Sequence, residues 1–202
     1  MSDIYRTIAS RAEGMYKDKG SKFLSFALPV ENVEEIKKII KDFQHQYHDA
    51  RHVCYAYVLG NEKKDWRAND AGEPSGTAGR PILRQINTRN LTNVLVIVVR
   101  YFGGILLGTS GLINAYSEAA SDALNHAEII EKTVQCHLKI SFDFLQLNSI
   151  MKIIKEQKLQ VIVQEIDNEK CSIELAVAQH EVSDLIKIIQ NISGTEIEVL
   201  NR

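Results

Sequence analysis

The stretch NVLVIVVRYFGGILLGTSGLINAY, residues 93–116, decides the reading of the fold. Its first part, NVLVIVVRY (93–101), is an unbroken apolar run. A strand with one wet face alternates apolar and polar residues. A run that does not alternate is predicted to be a central strand, buried on both faces. FGGILLGTSG (102–111) then breaks the chain with four glycines. Beyond it, Leu112, Ile113, Tyr116, Ala119, Ala120, Ala123 and Leu124 recur at helical spacing, with small residues suited to close packing. The expectation is a buried strand, a glycine-rich turn and a helix opening at Thr109 or Ser110.

Outward from this unit, SKFLSFALPV (21–30) reads as a strand closed by Pro29. Asn32 followed by Glu35 reads as a variant capping box. Val33, Ile36, Ile39, Ile40 and Phe43 give the helix behind it one apolar face. HVCYAYVLG (52–60) is rich in strand formers. Residues 61–80 are polar, then glycine-rich, and read as loop. RPILRQI (80–86) reads as a short helix with Pro81 at its first position. The first domain is thus expected as β-β-α-β-loop-α-β-loop-α. Further on, 134–144, 159–166, 170–178 and 195–200 read as strands, and 145–157 and a segment marked by Val182, Leu185, Ile186 and Ile189 as helices. A hairpin is expected around DNEK (167–170). This β-α-β-β-α-β order is the ferredoxin-like arrangement. The fold class is α+β, with a boundary near 130–135.

Composition excludes several classes. The chain has 202 residues, 45% hydrophobic and 25% charged, with net charge -2. Its apolar runs are too short to cross a membrane. MSDIYRTIAS carries no apolar signal region, so a cytoplasmic protein is expected. Cys54, Cys136 and Cys171 form no CxxC pair, and the histidines include no HExxH, so neither a disulfide framework nor a metal site is expected, and no cofactor. Residues 1–134 hold 17 Lys/Arg against 16 Asp/Glu, whereas 135–202 hold 7 against 10. From Pro74 to Ser117 the charged residues are Arg80, Arg84, Arg89 and Arg100, without Asp, Glu or Lys. Arginine suits phosphate recognition.

Two glycine segments carry the candidate chemistry. GGILLGTS has P-loop spacing at Gly103, Gly108 and Ser110, but Thr109 stands where the phosphate-reaching lysine belongs. That argues against ordinary nucleotide hydrolysis. A helix opening here would still present free N–H groups to an anion, while the same glycines serve equally as tight turns. In DAGEPSGTAG (70–79), Ser75 is not in a GxSxG elbow. A hydrolase reading would need His52 as base, Asp70 or Glu73 to orient it, and Ser75 as nucleophile. Nucleic-acid binding would draw on the arginines, the basic turn holding Lys19 and Lys22, and stacking by Trp66, Tyr101 or Phe102.

EPSGTAGRPIL (73–83), LTNVLVIVVRYFGG (91–104) and LGTSGLINAYSEAA (107–120) together resemble the IMPACT/YigZ family, as do KGSKF (19–23) and HVCYAY (52–57). The resemblance is to the two-domain bacterial type. It implies a ribosomal-protein-S5 domain-2-like domain over 1–132 and a ferredoxin-like domain over 135–202, a pairing also found in elongation factor G. Eukaryotic IMPACT regulates translation by competing for the activator of a starvation-responsive kinase. What carries over is association with RNA or ribosomes, not that kinase pathway. Family members commonly have DDGEPSGTAG, FGGIKLG and GLVRAY, where this chain has Ala71, Leu106 and Asn114. Two basic residues near the second glycine loop are therefore absent.

The resulting expectation is a non-enzymatic translation-associated regulator. It would bind RNA or ribosomal components through Lys19, Lys22, Arg80, Arg84, Arg100, Gly103, Gly104, Gly108 and Thr109. The acidic second domain would meet a protein partner. The alternatives are a hydrolase using His52, Asp70, Glu73 and Ser75, or a protein-interaction scaffold with purely structural glycine loops.

Overall fold

The computed structural model describes residues 3–167 and 170–200. Two compact units are present: Tyr5–Lys132, and Thr133 onward together with the first few residues. In the first unit, β2 (Ala12–Asp18), β3 (Ser21–Pro29), β4 (His52–Leu59), β5 (Asp65–Asn69) and β6 (Val94–Tyr101) form one antiparallel sheet in the order β2-β3-β6-β4-β5. The unbroken apolar run is its central strand, and Val94 to Arg100 are all buried.

Both faces of the sheet are covered because both are apolar. One face packs Phe26, Val53, Tyr57, Leu95, Ile97 and Val99 against Ile36 and Phe43 of α1 (Val33–Gln46). The other packs Phe23, Ala27, Cys54, Ala56, Val96 and Val98 against α2 (Gly79–Thr88) and α3 (Gly108–His126). The small residues of α3, Ala115, Ala119, Ala120 and Ala123, are fully buried on that second face. The α1 cap forms as its sequence suggests: Asn32 Oδ1 accepts from the Glu35 N–H at 2.9 Å. Glu35 returns its carboxylate to the Glu31 N–H, one residue before the cap.

The structure adds three strands to the expected order. β1 (Ile4–Ile8) and β7 (Ile129–Thr133) form a two-stranded sheet, and β5 is the fifth strand of the large one. β5 escapes a pattern reading because DWRAN is a short edge strand paired with β4, holds only two apolar residues and buries none of its five residues. Pro81 is the third residue of α2 rather than the first.

The second unit follows β8 (Gln135–Asp143), α4 (Leu147–Glu156), β9 (Gln160–Ile166), β10 (Lys170–Ala178), α5 (Val182–Gln190) and β11 (Thr195–Leu200). Its sheet order is β11-β8-β10-β9, and every pairing is antiparallel. Leu138, Ile140, Phe142, Ile173, Leu175 and Val177 pack on Ile150, Ile154, Leu185 and Ile189. The DNEK turn contains Asn168 and Glu169, which lie outside the described residues.

The second glycine segment is seated by close backbone approach. Lys19 (φ 44°) and Gly20 (φ 78°) both adopt the left-handed conformation that a two-residue hairpin turn between β2 and β3 requires. This turn lies directly against Gly103, where a Cβ would collide with the backbone of Gly20 and Ser21. The Gly103 N–H donates to Ser21 Oγ at 3.2 Å. Gly103→Ala is therefore expected to cost roughly 2–3 kcal/mol, as overpacking against backbone does, read as a lower urea midpoint. A loss under about 0.5 kcal/mol would show that the loop is not seated on this turn.

Candidate functional site

The two glycine segments meet in one cleft of about 360 Å³ in the first unit. From the first segment come Gly72, Glu73 and Pro74. From the second come Phe102, Leu106, Leu107, Gly108 and Thr109. Arg51, His52, Arg100 and Leu112 complete the lining. The register of the sheet makes its floor. Phe23 pairs with Arg100, and Arg100 with His52, so the three stand in one row across β3, β6 and β4 on the α2/α3 face.

Glu73 is the hub. Its side chain is 3% exposed, and Oε1 accepts from Arg100 Nη1 at 2.6 Å and from the Tyr116 hydroxyl at 2.8 Å. Arg100 is 7% exposed, and its guanidinium lies between two rings, 5.5 Å from the Phe23 centroid and 5.6 Å from that of Phe102. Its Nε has no hydrogen-bond partner. His52 Nδ1 lies 2.8 Å from the Ala71 carbonyl, which can only accept, so the Nδ1 proton is assigned there. His52 Nε2 is 3.8 Å from Glu73 Oε1.

Behind this floor the chain is inert. Burial pushes the Cys54 thiol up to about 12, so it is protonated at neutral pH, and Sγ donates to the Asp70 carbonyl at 3.0 Å. Burial likewise raises the Tyr116 phenol, with Cys54 and Glu73 adding to the effect.

Asp70 performs a different task. Oδ1 accepts from the N–H groups of Ala78 and Gly79 at 3.0 and 2.8 Å, and Oδ2 from Gly76 at 2.8 Å. Burial alone would raise this carboxyl, but these three donors and nearby Arg80 outweigh it and hold the group below its ordinary range. Asp70 thus caps α2, and that helix start has no room for an external anion. α3 differs. Among the described residues no side chain caps its start, and its first turn holds no acid, yet Gly108 and Thr109 line the cleft. Its N–H groups and positive helix end are presented to whatever enters.

Of the residues expected to catalyse, His52 and Glu73 meet in the cleft, but Asp70 is engaged in capping and Ser75 is exposed outside the lining. The four do not converge as a hydrolase constellation. Of those expected to bind phosphate, Arg100, Gly108 and Thr109 line the cleft, and Gly103 and Gly104 belong to its loop. Arg100 is buried by its pairing with Glu73, so it shapes the floor rather than standing free as a surface contact. Lys19 flanks the loop at the turn under Gly103. Lys22 pairs with Tyr101, one residue off the Arg100 row, and so belongs to the opposite, α1 face of the sheet. Arg80 and Arg84 are exposed on α2 and outside the lining. Sequence reasoning passed over Arg51, whose neighbour His52 was the only signal, and the apolar wall of Pro74, Leu106 and Leu112.

The family described as the Impact N-terminal domain matches residues 19–124, which include both glycine segments and every residue of the cleft. The chain is similar to the IMPACT family member YvyE of Bacillus subtilis, 34% identical over 184 residues, covering 91% of this chain and 84% of that one. It is similar to the IMPACT family member YigZ of Escherichia coli, 34% identical over 138 residues, covering 67% and 68%. A solved structure, described as the crystal structure of an hypothetical protein, matches over 100% of both chains with a TM-score of 0.76 at 25% identity.

Two outcomes test the site's internal wiring. Glu73→Ala leaves Arg100 buried without its counter-charge and is expected to cost about 3–5 kcal/mol; a loss below about 1 kcal/mol in urea unfolding would contradict the hub. For Asp70 the folded carboxyl is held low, so its charge contributes stability above the unfolded value near 4 and loses it as pH falls through the lower folded value. The stability gap between the protein and Asp70→Asn is expected to be about 1–2 kcal/mol at pH 7 and to close on acidification over that window. A gap that stays constant below pH 4 would refute the assignment.

Proposed function

The chain belongs to the IMPACT family, and we propose that it is a cytoplasmic, non-enzymatic, translation-associated regulator that binds RNA or a ribosomal component through its first unit. The reading joins two supports. The family resemblance brings translation, through eukaryotic IMPACT. The geometry brings an anion-receptive cleft, and the observation that carries the proposal is the uncapped start of α3 opening into it. Arg51 and Arg100 stand against Glu73 alone among the Lys, Arg, Asp and Glu side chains of the lining, which leaves an excess of one positive charge among them. Lys19 belongs to the turn that packs against Gly103, and exposed Arg80 and Arg84 offer phosphate contacts on α2.

The first unit fits the S5 domain-2-like description, taken over 1–132. The second, taken over 135–202, fits the ferredoxin-like one, on its β-α-β-β-α-β order and β11-β8-β10-β9 sheet. With 7 Lys/Arg against 10 Asp/Glu, that second unit suits a protein partner better than a phosphate backbone.

The test is co-sedimentation with ribosomes and filter binding of RNA at roughly 50 and 200 mM salt, where phosphate contacts differ most in strength. Binding is expected at low salt. Arg51→Ala with Lys19→Asn, which respects the left-handed turn, is expected to weaken it and to lower the salt slope by about 1 per charge removed. Absence of binding at low salt would refute the proposal.

A further inference from the structure

The cleft is too small for a duplex, and much of its lining is apolar. Its 360 Å³ is at the lower end of small-ligand sites. Phe102 (43% exposed) and Leu106 (83% exposed) line the same cleft as the start of α3, together with Pro74 and Leu112. An exposed leucine at a loop tip gains nothing for folding. An aromatic ring held over a buried guanidinium is a preorganised stacking surface.

Charge and shape then select one chemistry. The helix start and Arg51 ask for an anion. The wall asks for a flat apolar face within a few ångströms of that anion. Arg100, nine-tenths buried with an unpartnered Nε, lines the same cleft and lies against the Phe102 ring. A bare phosphate satisfies only the first requirement. A paired base in a duplex hides its faces in the stack and cannot satisfy the second.

Resting on the RNA-binding reading above, we propose that the cleft receives one unpaired nucleotide, its phosphate on the opening turn of α3 beside Arg51 and its base against Phe102 and Leu106. Thr109 and Phe102 then determine the two halves of the recognition separately, and neither makes a hydrogen bond to Glu73 at the hub.

The experiment measures fluorescence anisotropy of a 5′-phosphorylated single-stranded oligoribonucleotide. The competitors are its own duplex, a nucleoside 5′-monophosphate, inorganic phosphate and a phosphoserine peptide. The single strand is expected to bind, the monophosphate to compete, and the duplex to bind at least tenfold more weakly. Thr109→Asp places a carboxylate in the first turn of α3, where it favours the helix but repels a phosphate. It is expected to cut binding at least tenfold with an unchanged or higher thermal midpoint, so misfolding cannot explain the loss. Phe102→Ala is expected to cut oligonucleotide binding roughly tenfold and to leave competition by inorganic phosphate unchanged.

RNA binding that both variants leave intact would overturn the cleft assignment while leaving the RNA-binding reading in place. Monophosphate binding lost in Thr109→Asp, without RNA binding, would uphold the cleft and overturn the RNA-binding reading. Equal affinity for duplex and single strand, or a preference for the phosphoserine peptide, would overturn the proposal.

Discussion

One buried carboxylate ties the first unit together at its functional end. Glu73 comes from the loop, Arg100 from the central strand and Tyr116 from α3, and all three meet at a single oxygen. Taking a carboxylate out of water is costly, and the attraction of one cation repays that cost only when further hydrogen bonds complete its shell. The Tyr116 hydroxyl supplies one. The arrangement tolerates little displacement, since each partner belongs to a different element. It therefore fixes where the first glycine segment crosses the sheet, and hence where one wall of the cleft stands.

The same loop handles two helix starts in opposite ways. At α2 the chain brings its own carboxylate from Asp70, and three N–H groups are satisfied internally. At α3 no side chain among the described residues does this, although Glu73 lines the same cleft. Glu73 is held by Arg100 and Tyr116 and points its charge there. Locking the one acid among the described lining residues into a hub keeps it from capping α3. The positive end of that helix is left to the cleft by the same interaction that shapes the cleft.

How far the sequence foretold this depends on the range of each interaction. The run 93–101 names its own burial, because a strand covered on both faces has no polar side to show. The α1 cap is read from Asn32 and Glu35 because its partners are three residues apart. Strands β8 and β10 of the second unit alternate buried and part-exposed positions, a period read within each strand, so their bounds follow the pattern closely. The cleft follows from strand register, which is not local. Lys22 and Arg100 both read as basic residues near glycine loops, yet one register step puts them on opposite faces. Asp70 and Glu73, three residues apart in one motif, part company for the same reason. One reaches the start of α2 and the other crosses to β6.

The departures from the family pattern gain a physical meaning from these positions. Ala71 occupies a left-handed conformation (φ 45°), which costs alanine roughly 1–2 kcal/mol and which a short polar side chain tolerates better. Its carbonyl still accepts from His52, so the position retains its backbone role without its side chain. Asn114 Nδ2 reaches the Tyr16 hydroxyl at 3.5 Å, the outer limit of a hydrogen bond, where relatives commonly carry arginine. Leu106 is exposed at the rim, where relatives commonly carry lysine. The exchange removes a charge that would act over a Debye length and adds apolar surface that acts only on contact. On the proposed nucleotide reading, the exchange favours the shape and face of a seated ligand over long-range attraction of any polyanion.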